Sequence, residues 1–197
     1  MSWSEDDIPD LSHRVAVVTG ANSGVGFETA RALAAKGARV ILGCRSRTKG
    51  PEAAHRIREA VPDADVHFIT LDLAALASVA MFAKEVGVEA DRIDILVNNA
   101  GVMMPPLDYT RDNFELQLGI NHLGHFALTA HLFPLLQSTP GSRVVTVSSL
   151  MHFVGRIQFS DLQAMKSYSP ALAYAQSKVA NLLFAFELAR RCERANV

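Results

Sequence analysis

The chain has 197 residues, 49% of them apolar and 20% charged, enough for one α/β domain with a sizeable core and not the composition of a disordered tail. With 19 Lys and Arg against 20 Asp and Glu, the formal net charge of −1 gives no bulk attraction to nucleic acid or to an anionic membrane, and neither is expected as a partner. Two cysteines, Cys44 and Cys192, imply no disulfide framework, so a reducing, cytoplasmic location is the expectation.

The stretch from Met1 to Asp10 is acidic, carries Trp3 and Pro9, and matches neither the cationic nor the apolar part of a signal peptide. No apolar run reaches the roughly 18–20 residues that span a bilayer, so a soluble protein without a membrane anchor is expected. Residues 1–13 read as an N-terminal extension and residues 14–197 as a single domain.

From Arg14 onward short β-branched runs alternate with longer helical stretches. Strands are expected at about 14–19, 38–43, 65–70, 93–97 and 143–148, and helices at about 24–36, 48–60, 75–86, 111–137 and 172–195. The strands are mostly continuous apolar runs, which requires cover on both faces of the sheet. The fold class is therefore α/β, a Rossmann-like, doubly wound parallel sheet in three α/β/α layers. Asn22 and Ser23 punctuate the start of the first helix and Gly37 its end, while Pro140-Gly141 separates the fourth helix from the last strand.

Between the first strand and helix lies Thr19-Gly20-Ala21-Asn22-Ser23-Gly24-Val25-Gly26. Gly20 permits a tight turn, Gly24 lets the backbone approach a pyrophosphate, and Gly26 lets the helix pack closely on the sheet. A phosphate would sit on the helix N-terminus, where unpaired N–H groups point outward. Gly20, Asn22, Ser23, Gly24, Val25 and Gly26 are thus candidate dinucleotide contacts, although glycines also serve as plain turn residues. At the end of the second strand, Gly43-Cys44-Arg45-Ser46 carries no carboxylate to bond a ribose 2′-hydroxyl. Arg45 offers a guanidinium suited to a 2′-phosphate and Ser46 a hydroxyl, so NADP(H) is favoured and NAD(H) stays open.

Hydride exchange with a carbonyl needs a proton donor near neutral pH. A tyrosine, with a reference pKa of about 10, serves only beside a cation that stabilises its phenolate. Tyr174 and Lys178 stand four positions apart, on one face of a helix. Tyr109 and Tyr168 have no lysine at that spacing.

These segments together resemble the short-chain dehydrogenase/reductase family over nearly the whole chain. The glycine turn is similar to its TGxxxGxG motif and Tyr174-Ala175-Gln176-Ser177-Lys178 to its YxxxK. The resemblance implies that Asp72 and Leu73 contact the adenine, and that Asn98, Ala100 and Gly101 of an NNAG-like run border the cofactor. It implies that Ser149 positions a carbonyl, with Ser148 as the nearest rival, and that Asn121 holds a water in a proton relay. By the same resemblance Tyr174 donates the proton, while Lys178 binds the ribose and steadies the phenolate. NHLGHF, AYAQSKVANLLF and the long segment between Ser149 and Tyr174 resemble the branch containing retinol dehydrogenases, the WW-domain oxidoreductase and protochlorophyllide reductases. Met151, Phe153 and Phe159 of that segment are candidates to line an apolar pocket or simply to pack.

The expected function is NADP(H)-dependent interconversion of a carbonyl and an alcohol on a small, apolar molecule. Family members continue with further strands, so a shortened chain that binds a dinucleotide without turnover, or a regulatory fragment, is the alternative. Uncovered helix and strand surface, and the family's habit of pairing its fourth and fifth helices, make a homo-oligomer the expected state. No metal is expected: His122, His125 and His131 share a helix with no HExxH or Cys/His ligand set and read as ordinary polar or partly buried residues. A GxSxG nucleophile elbow is absent.

Overall fold

The computed structural model of the chain describes residues 4–195, so Trp3 and Val197 lie outside the described residues. Five parallel strands form one sheet: β1 Val15–Thr19, β2 Arg39–Cys44, β3 Val66–Thr70, β4 Ile95–Asn98 and β5 Arg143–Thr146. Their spatial order is β3-β2-β1-β4-β5. Helices α1 Gly24–Ala35, α2 Lys49–Ala60, α3 Leu76–Glu89, α4 Leu116–Leu118, α5 Gly124–Ser138 and α6 Pro170–Ala195 cover it.

Strand β1 shows why the sequence reads as an uninterrupted apolar run. Successive side chains alternate across a sheet, and both faces of this one are buried. Val15 and Val17 join Val79, Phe82, Leu128 and Leu132 in the core beneath α3 and α5. Ala16 and Val18 join Phe27, Ala30, Ala53 and Ile57 in the core beneath α1 and α2. The chain winds outward from β1 to β3, then returns to lay β4 on the other side of β1, which opens a crevice at the carboxyl ends of β1 and β4. Among the described residues β5 is an edge strand.

Two elements depart from expectation. The fourth helix begins at Leu116 rather than near residue 111, because Thr110 N–H closes a turn on the Phe114 carbonyl at 2.8 Å and Asn113 takes a left-handed φ of +62°. Glu115 then caps the helix, its carboxylate accepting from Gln117 N at 3.0 Å and Leu118 N at 2.8 Å. The helical path is further widened between α4 and α5 by a π turn, Gly119–Leu123. The fifth strand ends at Thr146 rather than 148, where the Val147 carbonyl turns to side chains of α6.

The described part of the N-terminal extension is fastened to α1. Leu11 N–H donates to the Lys36 carbonyl at 2.8 Å and Glu5 pairs with Arg31 at 2.6 Å. Among the described residues no helix is long and apolar enough to cross a membrane, and no group of three or more His, Cys, Asp or Glu is placed to hold a metal ion.

Candidate active site

A cleft of about 520 Å³ runs along the carboxyl ends of β1, β2 and β4. Its first wall is the glycine turn. Gly20 has φ +67°, and a Cβ there would lie 2.9 Å from Ala100; a Cβ at Gly26 would collide with the Asn99 side chain. Gly24 also has positive φ, +56°, and a Cβ on it would meet nothing within 4 Å. Ser23, at the N-cap of α1, makes no side-chain cap bond, so the first-turn N–H groups face the cleft without that side-chain acceptor.

The second wall is the loop after β4, tied to the first by Thr19. The Thr19 hydroxyl accepts from Asn99 N at 2.9 Å and Ala100 N at 3.0 Å, and Asn99 Nδ2 donates to the Thr19 carbonyl at 2.8 Å. Asn99, Ala100 and Gly101 line the cleft. Asn98, expected to border it, does not: it ends β4 pointing into the core, where its Nδ2 donates to Thr129 on α5 at 3.0 Å. Strand alternation sends the next residue, Asn99, to the cleft instead.

At the far end Arg45, Ser46, Asp72 and Leu73 line the cleft as expected, joined by Lys49, the first residue of α2. The Ser46 hydroxyl accepts from Lys49 N at 3.1 Å, bringing the end of β2 and the start of α2 together. Burial pushes the Cys44 thiol up to about 11, so it stays protonated beneath this end of the cleft.

Gly101 joins the cleft to the reactive residues, since a Cβ on it would lie 3.1 Å from Asn121 Oδ1 and 3.9 Å from Lys178 Nζ. Lys178 is buried, its ammonium donating to the Val147 carbonyl at 3.1 Å and standing 5.5 Å from the centroid of the Tyr174 ring. Burial holds its pKa below the ordinary lysine range. The Tyr174 hydroxyl bonds to no protein group among the described residues. Its rivals are occupied: Tyr168 donates to the Pro105 carbonyl at 2.8 Å, and Tyr109 approaches Met165 Sδ at 3.4 Å.

The two serines separate by their bonds. Ser148 spends its proton on the Lys178 carbonyl at 2.9 Å. Ser149 only accepts, from Met151 N at 3.3 Å, as it caps the 3-10 turn Leu150–Val154, so its own proton is available. That turn packs on α6 through Gly155, where a Cβ would lie 2.5 Å from the Ala175 carbonyl. Asn121, in the π turn, makes three side-chain bonds: Oδ1 accepts from Val102 N at 2.8 Å, while Nδ2 donates to the Val102 carbonyl at 3.0 Å and to Ser177 Oγ at 2.9 Å. These bonds tie the asparagine to Val102 and to α6, and its main-chain carbonyl faces His125 Nδ1 at 3.0 Å.

Of the three aromatic and thioether candidates between Ser149 and Tyr174, Phe159 lines an apolar concavity, but it is the 920 Å³ groove between α5 and α6, with Phe126, Phe133 and Phe184. Met151 and Phe153 do not line it. Sequence reading missed Thr19, Asn99 and Lys49. Asn99 was signalled by the same Asn-Asn-Ala-Gly run; Lys49 had no signal beyond its place four residues after Arg45.

A family model described as short chain dehydrogenase matches residues 14–197. Retinol dehydrogenase 11 of Mus musculus is 49% identical over 187 residues, covering 95% of this chain and 59% of that protein. The chain thus spans about three fifths of the length of that relative. A crystal structure of an uncharacterized protein from Mycobacterium paratuberculosis is 48% identical with a TM-score of 0.90, covering all of this chain and 69% of that one. The Pseudomonas aeruginosa RhlG/NADP active-site complex is 28% identical with a TM-score of 0.74, covering 93% of this chain and 68% of that one.

Proposed function

The chain belongs to the short-chain dehydrogenase family, and from that premise we propose that it binds NADP(H) and interconverts a carbonyl and an alcohol on a small, apolar molecule. The observation that carries the reading is the buried Lys178 ammonium, 5.5 Å from the centroid of the Tyr174 ring, whose hydroxyl has no protein partner among the described residues. The residues fit a dinucleotide: the turn glycines leave room for a pyrophosphate, the first turn of α1 presents N–H groups to it, and β2 ends without a carboxylate. Arg45, Ser46 and Lys49 supply the donors a 2′-phosphate requires, which favours NADP(H) over NAD(H). The similar structure from Pseudomonas aeruginosa is an RhlG/NADP active-site complex, which supports a dinucleotide reading.

When bound, the nicotinamide supplies or accepts the hydride. In the reducing direction the Ser149 hydroxyl donates to the substrate oxygen and holds it toward Tyr174. The Tyr174 hydroxyl then passes its proton to that oxygen. Lys178 would steady the resulting phenolate by its charge and bond the ribose of a bound dinucleotide. Leu150 and Phe153, exposed on the turn that Ser149 caps, supply apolar surface beside the reacting oxygen and support an apolar substrate. Self-association belongs to the same reading: Phe126, Leu183 and Phe186 are exposed on α5 and α6, and sedimentation velocity of the purified chain tests it.

The test is a titration of the 197-residue chain with NADPH and with NADH, followed by nicotinamide fluorescence, and then a screen of apolar aldehydes and ketones. Saturable binding that favours NADPH, with turnover in the screen, is expected. Binding without turnover would reduce the protein to a dinucleotide-binding module, and no binding would overturn the reading.

A further inference from the structure

One fully buried side chain joins the end of β1 beside the cleft to the π turn that precedes α5. His125, on α5, places Nε2 2.8 Å from the Thr19 hydroxyl and Nδ1 3.0 Å from the Asn121 carbonyl. A carbonyl can only accept, so Nδ1 carries the proton. Burial pushes the ring's pKa down to about 4, so it is neutral at pH 7 and Nε2 is a bare acceptor. The Thr19 hydroxyl must therefore donate to Nε2. Its lone pairs are left for Asn99 N and Ala100 N, and the Val97 carbonyl, at 3.3 Å, is the longer alternative for its proton.

The consequence is directional. A hydroxyl whose proton is fixed presents its lone pairs in fixed directions, and those lone pairs hold the loop that packs against Gly20 and Gly26. On the other side the same ring holds the π turn at Asn121, whose side chain fixes Val102 in the cleft wall and Ser177 one residue before Lys178. We infer that His125 is a positioning residue for the dinucleotide cleft, a neutral two-ended hydrogen-bond bridge that sets the glycine turn, the Asn99–Gly101 loop and the Lys178 face of α6 in register. This rests on the proposed dinucleotide reading only for its functional consequence; the bridge itself is a statement about tautomer and bonding.

The titratable groups that face the ring are Lys178 and His122, both repelling an added proton on it. Protonation would place an Nε2–H against the Thr19 hydroxyl, turning that hydroxyl from donor to acceptor for a third N–H. The loop bonds and the new one would then compete for two lone pairs.

Two measurements separate the bridge from the reading it serves. In the wild-type chain, histidine ¹⁵N NMR should show a ring protonated on Nδ1 and bare on Nε2, still neutral at pH 5.5; a ring protonated on Nε2, or charged at that pH, would overturn the inference whether or not a cofactor binds. His125→Asn keeps a donor toward Asn121 but loses the acceptor for Thr19, whereas His125→Gln reaches Thr19 with its terminal amide. Asn should weaken NADPH binding about tenfold and Gln should recover most of the loss. Leu132→Ala, in the same helix but away from the cleft, controls for lost stability and should lower the melting temperature without changing NADPH affinity. Equal NADPH affinity in wild type and His125→Asn would overturn the positioning role. If the wild type binds no NADPH, the dinucleotide reading fails, and the NMR arm decides the bridge alone. If the Asn variant does not fold, the Gln variant's affinity and the NMR result decide it.

Discussion

The Lys178 ammonium donates to the Val147 carbonyl at 3.1 Å, just beyond the last residue of β5. Asn181, one turn along α6, donates to the same carbonyl at 3.1 Å. The sheet thus ends by giving its next acceptor to the helix that carries the reactive pair. The position of Lys178 relative to the cleft is set by a strand end rather than by a flexible side chain.

That anchoring leaves the Tyr174 hydroxyl as the part of the pair with no protein partner among the described residues. Tyr174→Phe removes the hydroxyl and leaves the ring beside Lys178. Turnover should fall at least about a hundredfold, with NADPH affinity within a few fold of wild type. Steady-state rates and a fluorescence titration on the same preparation check both halves, and full turnover in the variant would remove Tyr174 from the chemistry.

Gly155 lets the turn capped by Ser149 lie directly on α6, with 2.5 Å between its virtual Cβ and the Ala175 carbonyl. Gly155→Ala must push that turn outward, because the obstacle is backbone. Ser149 moves with it, while the glycine turn and Arg45 lie on other elements. The expected result is a loss of kcat/KM of about tenfold or more with unchanged NADPH affinity, since a small misplacement of an orienting group is costly to the reaction alone. Weakened NADPH binding with unchanged turnover would contradict it.

Asp94 is a buried carboxylate at the start of β4 that serves three donors. Arg14 and Arg92 each reach it at 2.6 Å, and Val15 N donates to it at 2.9 Å, joining β1 to β4 at the end opposite the cleft. Burial opposes its charge, but these donors outweigh burial and hold its pKa below the ordinary value. Asp94→Ala leaves the Val15 N–H without its acceptor and should cost about 2 kcal/mol of stability by urea unfolding, with cofactor affinity unchanged in the folded protein.

The pH dependence of stability follows from His125. Its pKa is pushed down to about 4 in the folded chain, against about 6.5 when unfolded, so between those values the unfolded chain binds more protons. Stability is complete above that window and is lost as pH falls through it. Between pH 7 and pH 5 this group alone should remove about 2 kcal/mol. Urea unfolding at the two pH values should show that excess loss in wild type and not in His125→Gln; equal losses would show that the ring is not the acid-sensitive group.

The sheet and its helices were legible because each strand is an apolar run whose alternate residues fill two cores, and the punctuating Ser23 and Gly37 stand where α1 begins and ends. The site was legible where residue type decides: Gly20 and Gly26 face atoms that only glycine can approach, and Tyr174 and Lys178 share a helix face. Sequence could not distinguish Asn98 from Asn99, because which asparagine enters the cleft depends on where β4 ends. Nor could it separate His125 from His122 and His131, since three histidines in one helical stretch differ only in what the neighbouring elements bring against them. The fourth helix starts later than its sequence suggests because Glu115, an ordinary helix former, acts here as a cap.

Gly20 and Gly26 share their volume with Ala100 and Asn99 across the cleft floor. Substitutions in one loop therefore have consequences that depend on the residue present in the other: a side chain added to the glycine turn has no room unless the loop after β4 gives way at the same time. An engineered library aimed at a different cofactor would have to vary these four positions jointly, because single changes at any of them would be rejected for reasons unrelated to the cofactor they were meant to admit.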